Sequence, residues 1–358
     1  MNKFEMPRFI ARSHSRSSRA HSFLATLTAT VGISAFVLLA TSSQAFAWGR
    51  IGHDLAARVA AHLVAETTNK SFYKSRAYDL GYYCNVPDLV WKKPATYEAE
   101  YTNHFMNLEV FDREFKKAIE EGRLSPKEDP YELSRQAFET RFPSLPRTTG
   151  RAWWRVRELE KRLAATADLL KQRDILLEER HRLQGEWLLV AGVIGHYITD
   201  LAQPFHVTED YDGEAAGQKG IHGHFEDKLV DQLWPSIDMQ VYKEADRMWE
   251  KERAAMAGKS TLALMKELST SSNKEIEEIL KRDKRTSRDD LKKAVEVYRP
   301  ILVKRLAAGA VVLAEIWRRH TNWAPNEERF FVFNGQPEFI APPEPPAPKP
   351  SPTPAKKK

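Results

Sequence analysis

Between residues 52 and 319, apolar side chains recur three and four positions apart, and period-two alternation is almost absent. That spacing lines one face of a helix, so the chain reads as all-α. A helix is predicted over 52–66 (GHDLAARVAAHLVAE), and a long amphipathic one over 152–174 follows the breaker-rich run Pro143–Gly150. Residues 184–202 (QGEWLLVAGVIGHYITDLA) are apolar nearly all round, the mark of a central buried helix. Pro204 ends it, because the proline ring clashes with the carbonyl four residues back. Further helices are predicted over 225–234, 240–257, 260–281 and 288–319. No repeat recurs at a fixed period. Residues 48–334 are expected to form one domain, with the charged, breaker-rich segment 112–150 as an elaboration on it.

The two ends follow other patterns. In residues 1–47 a basic region runs through Arg19, an apolar stretch covers Phe23 to Thr41, and Ala45-Phe46-Ala47 offers a small-x-small site. This is the pattern of a Sec-type signal peptide cut before Trp48, and it predicts a periplasmic or secreted protein. An uncleaved membrane anchor is the alternative. From Gly335 the chain is rich in proline and lysine, and 335–358 is expected to be an extended tail that packs no core. These ends also carry the charge. The whole chain is +6, but residues 1–47 hold +4 and 335–358 hold +2, leaving 48–334 formally neutral. A globally basic nucleic-acid-binding domain is therefore not supported, while local basic patches remain open. The lone cysteine, Cys84, excludes an intramolecular disulfide framework.

Against this apolar background the polar residues stand out. His196 and Asp200, four apart on the buried helix, project from one face, where a bare carboxylate is costly to bury. His206 follows just beyond the helix end, and His222 with Glu226 repeats the four-residue spacing. Imidazole and carboxylate at this spacing form a natural chelating pair for zinc. Any single pair is more often a helix-surface interaction. Three such elements within 31 residues, one of them in a buried helix, are not easily explained that way. Cleavage before Trp48 would add a free α-amino group, which loses its proton near neutral pH and can bind metal beside His53.

Taken together, Trp48-Gly-x-x-Gly-His53, Asn103-His104-Phe105, His196-x-x-x-Asp200-x-x-Gln203-Pro204-x-His206 and His222-x-x-x-Glu226 resemble the S1/P1 nuclease family, relatives of the zinc-dependent phospholipases C. The final helix, with Arg305-Leu306 and Glu315-Ile316-Trp317, is similar too. The resemblance implies a helical domain with a cleft holding three zinc ions. One would be held by Asp88, His104, His196 and Asp200, and a second by His206, His222 and Glu226. The third would be held by the Trp48 nitrogen and carbonyl oxygen, His53 and Asp200. Asp79 is the fallback for Asp88. The implied reaction is attack on phosphorus by a metal-activated water, with Asp88 as general base.

The resemblance also places Phe105 where the nucleases stack a base, and Asn107 where they usually carry an aspartate that bonds it. Glu226 is the phospholipase-like choice. From His104 to His196 there are 92 residues, longer than the family leads one to expect. The expected substrate is single-stranded DNA, RNA or a 3′-nucleotide, with phospholipid head groups as the alternative. A zinc-scavenging protein without turnover is the rival of a different class. No obligate protein partner is called for, and a monomer is expected. Lys92 and Lys93 are expected either at a phosphate or solvated, and Trp153 and Trp154 either at a binding face or in the core. His224 is expected beside the metal ligands or at the surface, and His62, His181 and His320 in structural or solvated roles.

Overall fold

The chain is mostly helical, as the periodicity requires. The computed structural model describes residues 48–143, 145–325 and 337–343. The predicted signal peptide and most of the predicted tail lie outside the described residues. Helices α1 (Gly49–Ala65) and α2 (Lys70–Cys84) lead to a π-helical turn at Pro87–Trp91. Short α3 (Tyr97–Glu100) runs into a 3₁₀ turn at Tyr101–His104. Then come α4 (Leu108–Glu120), α5 (Arg135–Arg141), α6 (Pro146–Thr149), α7 (Ala152–Leu170) and α8 (Leu177–Ala202). A 3₁₀ turn at Pro204–His206 and the short α9 (Ile221–Gly223) precede a second π turn at His224–Lys228. The chain closes with α10 (Leu229–Leu233), α11 (Asp238–Ala257), α12 (Thr261–Asn273), α13 (Ile276–Asp283) and α14 (Leu291–Arg319). No helix of the described residues is long and apolar enough to cross a membrane.

The helix apolar on all sides is the hub. α8 packs against α2, α7, α12 and α14, while α14 packs against α1 and α11. Glycines allow the closest approaches: a Cβ on Gly192 of α8 would lie 2.3 Å from Cβ of Tyr83. Arg305 of α14, buried, donates from Nε to the carbonyl of Ala202 at 3.0 Å and so caps the C-terminal end of α8. Trp317 of α14 donates to the carbonyl of Ala191 at 3.0 Å. The last two turns of α8, which carry His196 and Asp200, are thus fixed from several sides.

Several expectations are corrected. The single helix predicted over 260–281 is two, α12 and α13, broken at Lys274-Glu275, and the segment predicted to be helical over 225–234 begins as a π turn. α2 was not predicted: its apolar and polar side chains are spread around the helix, so it shows no stripe. Within 112–150, Phe115, Phe138 and Phe142 pack with Trp154 and Tyr131 into an aromatic cluster. Trp153 and Trp154 are both buried, donating to Ser269 Oγ and the Leu133 carbonyl, so they belong to the core and form no binding face. The start of the predicted tail also packs. Phe339 and Ile340 lie against the core, and Trp91 donates to the Pro337 carbonyl at 3.0 Å. Proline excludes regular structure there but does not prevent an extended segment from lying on a surface.

Candidate metal centre

The predicted ligands arrive from separate elements. His53 sits on α1, Asp88 on the first π turn and His104 at the end of a 3₁₀ turn. His196 and Asp200 occupy the last two turns of α8, His206 follows the Pro204 break, and His222 and Glu226 straddle α9 and the second π turn. All eight are buried. The backbone ties the two halves together: Met106 N donates to the His206 carbonyl at 2.9 Å, and His206 Nδ1 meets the His104 carbonyl at 2.7 Å. Gly150 is required here. Its φ is +79°, and a Cβ would lie 2.0 Å from the Phe105 carbonyl oxygen.

The hydrogen bonds on the outer side of each ring decide what its inner side presents. His196 Nδ1 faces the Cys84 carbonyl at 2.8 Å, and His104 Nε2 faces Glu100 Oε1 at 3.1 Å. Both partners accept, so these nitrogens carry the protons in the neutral rings. His196 Nε2 and His104 Nδ1 are then both lone pairs, yet they face each other at 2.9 Å. Asp200 Oδ2 lies 3.1 Å from His104 Nδ1 and 3.4 Å from His196 Nε2, and Asp88 Oδ1 is 3.6 Å from each. The same arrangement recurs nearby. His206 and His222 use Nδ1 on the carbonyls of His104 and Tyr211, and their Nε2 atoms converge at 3.2 Å, with Glu226 Oε2 2.9 Å from His222 Nε2. At His53, Nδ1 lies 2.7 Å from Thr199 Oγ1, whose own proton goes to the Gly195 carbonyl. His53 Nε2 is left facing Asp200 Oδ1 at 3.3 Å.

Acceptors facing acceptors inside a protein are unfavourable without a cation between them. Asp200 Oδ1, Glu226 Oε1 and His53 Nε2 are buried and have no hydrogen-bond partner among the described residues. This donor set, N and O ligands with outer-shell partners that fix each tautomer, fits a divalent metal. Three groups come close enough to hold one: His53, Asp88 and His196; His104, His196 and Asp200; and His206, His222 and Glu226.

The electrostatics agree. Burial raises Asp88, Asp200 and Glu226, but the surrounding cations and imidazoles hold all three below the usual carboxylate range. Burial pushes His196 down to about 3. Burial and Lys92 lower His104, yet Asp200, Glu100 and Asp88 raise it overall.

Asp79 is half-exposed and paired with Arg76 at 3.2 Å, so Asp88 alone of the two reaches the cluster. Trp48 N lies 3.2 Å from Glu226 Oε2, on the Glu226 side of the site, while the Trp48 carbonyl accepts from Gly52 N at 3.1 Å. Phe105 is half-buried, with its ring edge-on to Tyr101 at 5.5 Å. Asn107 Nδ2 donates to the Thr148 carbonyl at 2.6 Å. His224 is buried, edge-on to Tyr298 and outside the three groups.

Four residues around the cluster carry roles the sequence did not assign: Glu100, Lys92, Tyr97 and Tyr101. Glu100 backs His104 at the same four-residue spacing that drew attention to His196 and Asp200, so the signal was present. Lys92 is not solvated: its Nζ lies 2.6 Å from Asp88 Oδ1, again at the four-residue spacing. Tyr97 and Tyr101 stack at 5.4 Å and continue the aromatic row that Phe105 begins. Helix and site together define a mostly helical protein with a buried histidine–carboxylate cluster able to hold metal ions. No family model matches the chain, and no curated protein matches it.

Proposed function

We propose that the chain is a zinc-dependent phosphodiesterase of the phospholipase C/P1 nuclease type. It is exported, cut before Trp48, and hydrolyses single-stranded DNA or RNA and 3′-nucleotides. One observation carries the reading: imidazole lone pairs and buried carboxylates converge in groups able to hold a metal ion, beside a row of aromatic rings formed by Tyr97, Tyr101 and Phe105. Asp88, His104, His196 and Asp200 would hold one ion, and His206, His222 and Glu226 a second. His53 and Asp200 would hold a third with the freed Trp48 amine. Zinc in such a site supplies Lewis acidity and lowers the pKa of water towards neutrality.

The chain's own residues supply the rest. Asp88, kept ionised by Lys92, orients an attacking water and accepts its hydrogen bond. The Lys92 ammonium offers a positive charge to a phosphoryl oxygen. Glu100 and Thr199 hold His104 and His53 in the tautomers that aim a lone pair inward. Phe105, Tyr101 and Tyr97 offer ring faces on which bases stack without regard to sequence. Asn107, its amide nitrogen engaged by Thr148, offers Oδ1 as an acceptor for a base amino group.

The test is hydrolysis by the chain beginning at Trp48, with and without chelator, of single-stranded DNA, RNA, a 3′-nucleotide and phosphatidylcholine. Chelator-sensitive cleavage of the nucleotide substrates is expected. Cleavage of the lipid alone would transfer the site to phospholipid head groups, and metal binding without any turnover would favour the scavenging role.

A further inference from the structure

The segment 337–343 lies on residues that support the cluster from behind. Its Pro337 carbonyl accepts from Trp91 Nε1 at 3.0 Å, and the Phe339 ring meets Trp91 edge-on at 5.4 Å. Trp91 is the last residue of the π turn that carries Asp88, and Lys92 follows it. The same segment engages Arg155 of α7, a guanidinium only 1% exposed. Arg155 Nη2 donates to the Ile340 carbonyl, and its Cζ lies 5.9 Å from the centroids of both Phe339 and Trp91. On its other side Arg155 faces Tyr197 at 5.4 Å and Glu100 Oε2 at 3.9 Å. Glu100 accepts from Tyr197 Oη and from Asn103 Nδ2 at 3.0 Å, and it backs His104.

We infer that segment 337–343 is a strap that positions two of the ligands: Asp88 through Trp91, and His104 through Arg155 and Glu100. A buried guanidinium needs acceptors, and carbonyls and ring faces from the strap supply part of that need. With the strap in place, Arg155 stays dry and close to Glu100, and the His104 ring keeps its orientation. Without it, water reaches Arg155, Trp91 loses its acceptor, and both ligands gain freedom. Loss of a direct outer-shell partner such as Glu100 typically weakens metal affinity by about 10- to 100-fold; the strap acts one contact further out, so the lower end of that range is expected. The inference rests on the reading of the cluster as a metal centre, and it is independent of the substrate.

The test measures cobalt(II) affinity and the visible d–d spectrum, with thermal stability of the metal-free protein recorded alongside. The chain ending at Pro343 is expected to match the full chain. The chain ending at Gln336 and the variant Phe339→Leu are expected to bind cobalt(II) about tenfold or more weakly, with an altered band. Leu170→Ala, a core truncation about 22 Å from Arg155 along α7, controls for stability alone; it should lower stability and leave affinity unchanged. If the chain ending at Gln336 does not fold, Phe339→Leu decides. Wild-type affinity and spectrum in the strap variants, or an equal loss in Leu170→Ala, would overturn the inference. A full chain that binds no cobalt(II) would remove the metal reading itself, and the strap's role with it.

Discussion

At the scale of single residues, the cluster is defined by what each ring does with its outer nitrogen. Carbonyls of Cys84, His104 and Tyr211, the Glu100 carboxylate and the Thr199 hydroxyl turn five imidazoles so that lone pairs point inward. Asp200 touches three of these rings, whereas Glu226 serves one pair. Asp200→Asn is therefore expected to lower the bound metal by more than one ion per chain, and Glu226→Gln by one, as read by elemental analysis after dialysis of folded protein. Equal losses from the two would contradict the bridging role.

Glu100 gives a signed pH dependence. Burial raises its carboxyl, but His104, Arg155 and Tyr197 bring it down to about 2 from an ordinary 4.5. A depressed carboxyl stabilises the fold above its unfolded value and loses that contribution as pH falls towards its folded value. In chelator-treated protein, Glu100→Gln is thus expected to cost on the order of 2–3 kcal/mol near pH 7, with the gap to the parent closing between about pH 4.5 and 2. Urea unfolding across that range checks it, and a gap unchanged at pH 3 would count against the assignment. The four-residue pairing of carboxylate and imidazole was legible in the sequence. The contact of Lys92 with Asp88 has that same spacing; what the sequence did not show is that the pair is buried against the cluster, because two flanking lysines read as a solvated pair.

At the scale of elements, the long helices were legible because three- and four-residue spacing persists over many turns. α8 announced itself as buried by being apolar on all sides, and its polar intruders, His196 and Asp200, lie in the cluster able to hold a metal ion. α2 carries no such stripe, and the break between α12 and α13 has no proline or glycine to mark it. The α8–α2 contact predicts an asymmetry between two glycines of one helix. Gly192→Ala pushes a Cβ to 2.3 Å from Tyr83 and is expected to destabilise by about 1–3 kcal/mol. Gly185→Ala meets nothing within 4 Å and is expected to stabilise slightly, by roughly 0.5–1 kcal/mol. Thermal melts of the two variants should move in opposite directions.

At the scale of the whole molecule, formal charge belongs to the ends and chemistry to a neutral body. The proline-rich composition after Gly335 pointed to an extended, mobile tail that packs no core, and it hid the two apolar residues, Phe339 and Ile340, that fasten residues 337–343 to the core. Buried carboxylates face imidazole lone pairs, an arrangement that a bound cation would relieve. Chelation is expected to lower the melting temperature by several degrees and zinc to restore it, since a ligand that binds only the folded chain stabilises it; a melt indifferent to both would argue against the cluster.

The most direct measurement is anomalous diffraction at the zinc edge from crystals of the chain beginning at Trp48. Three peaks are expected within the cluster: one among Asp88, His104, His196 and Asp200, one among His206, His222 and Glu226, and one beside His53 and the Trp48 amine. An empty cluster in zinc-saturated crystals, with peaks only at surface histidines, would contradict this expectation.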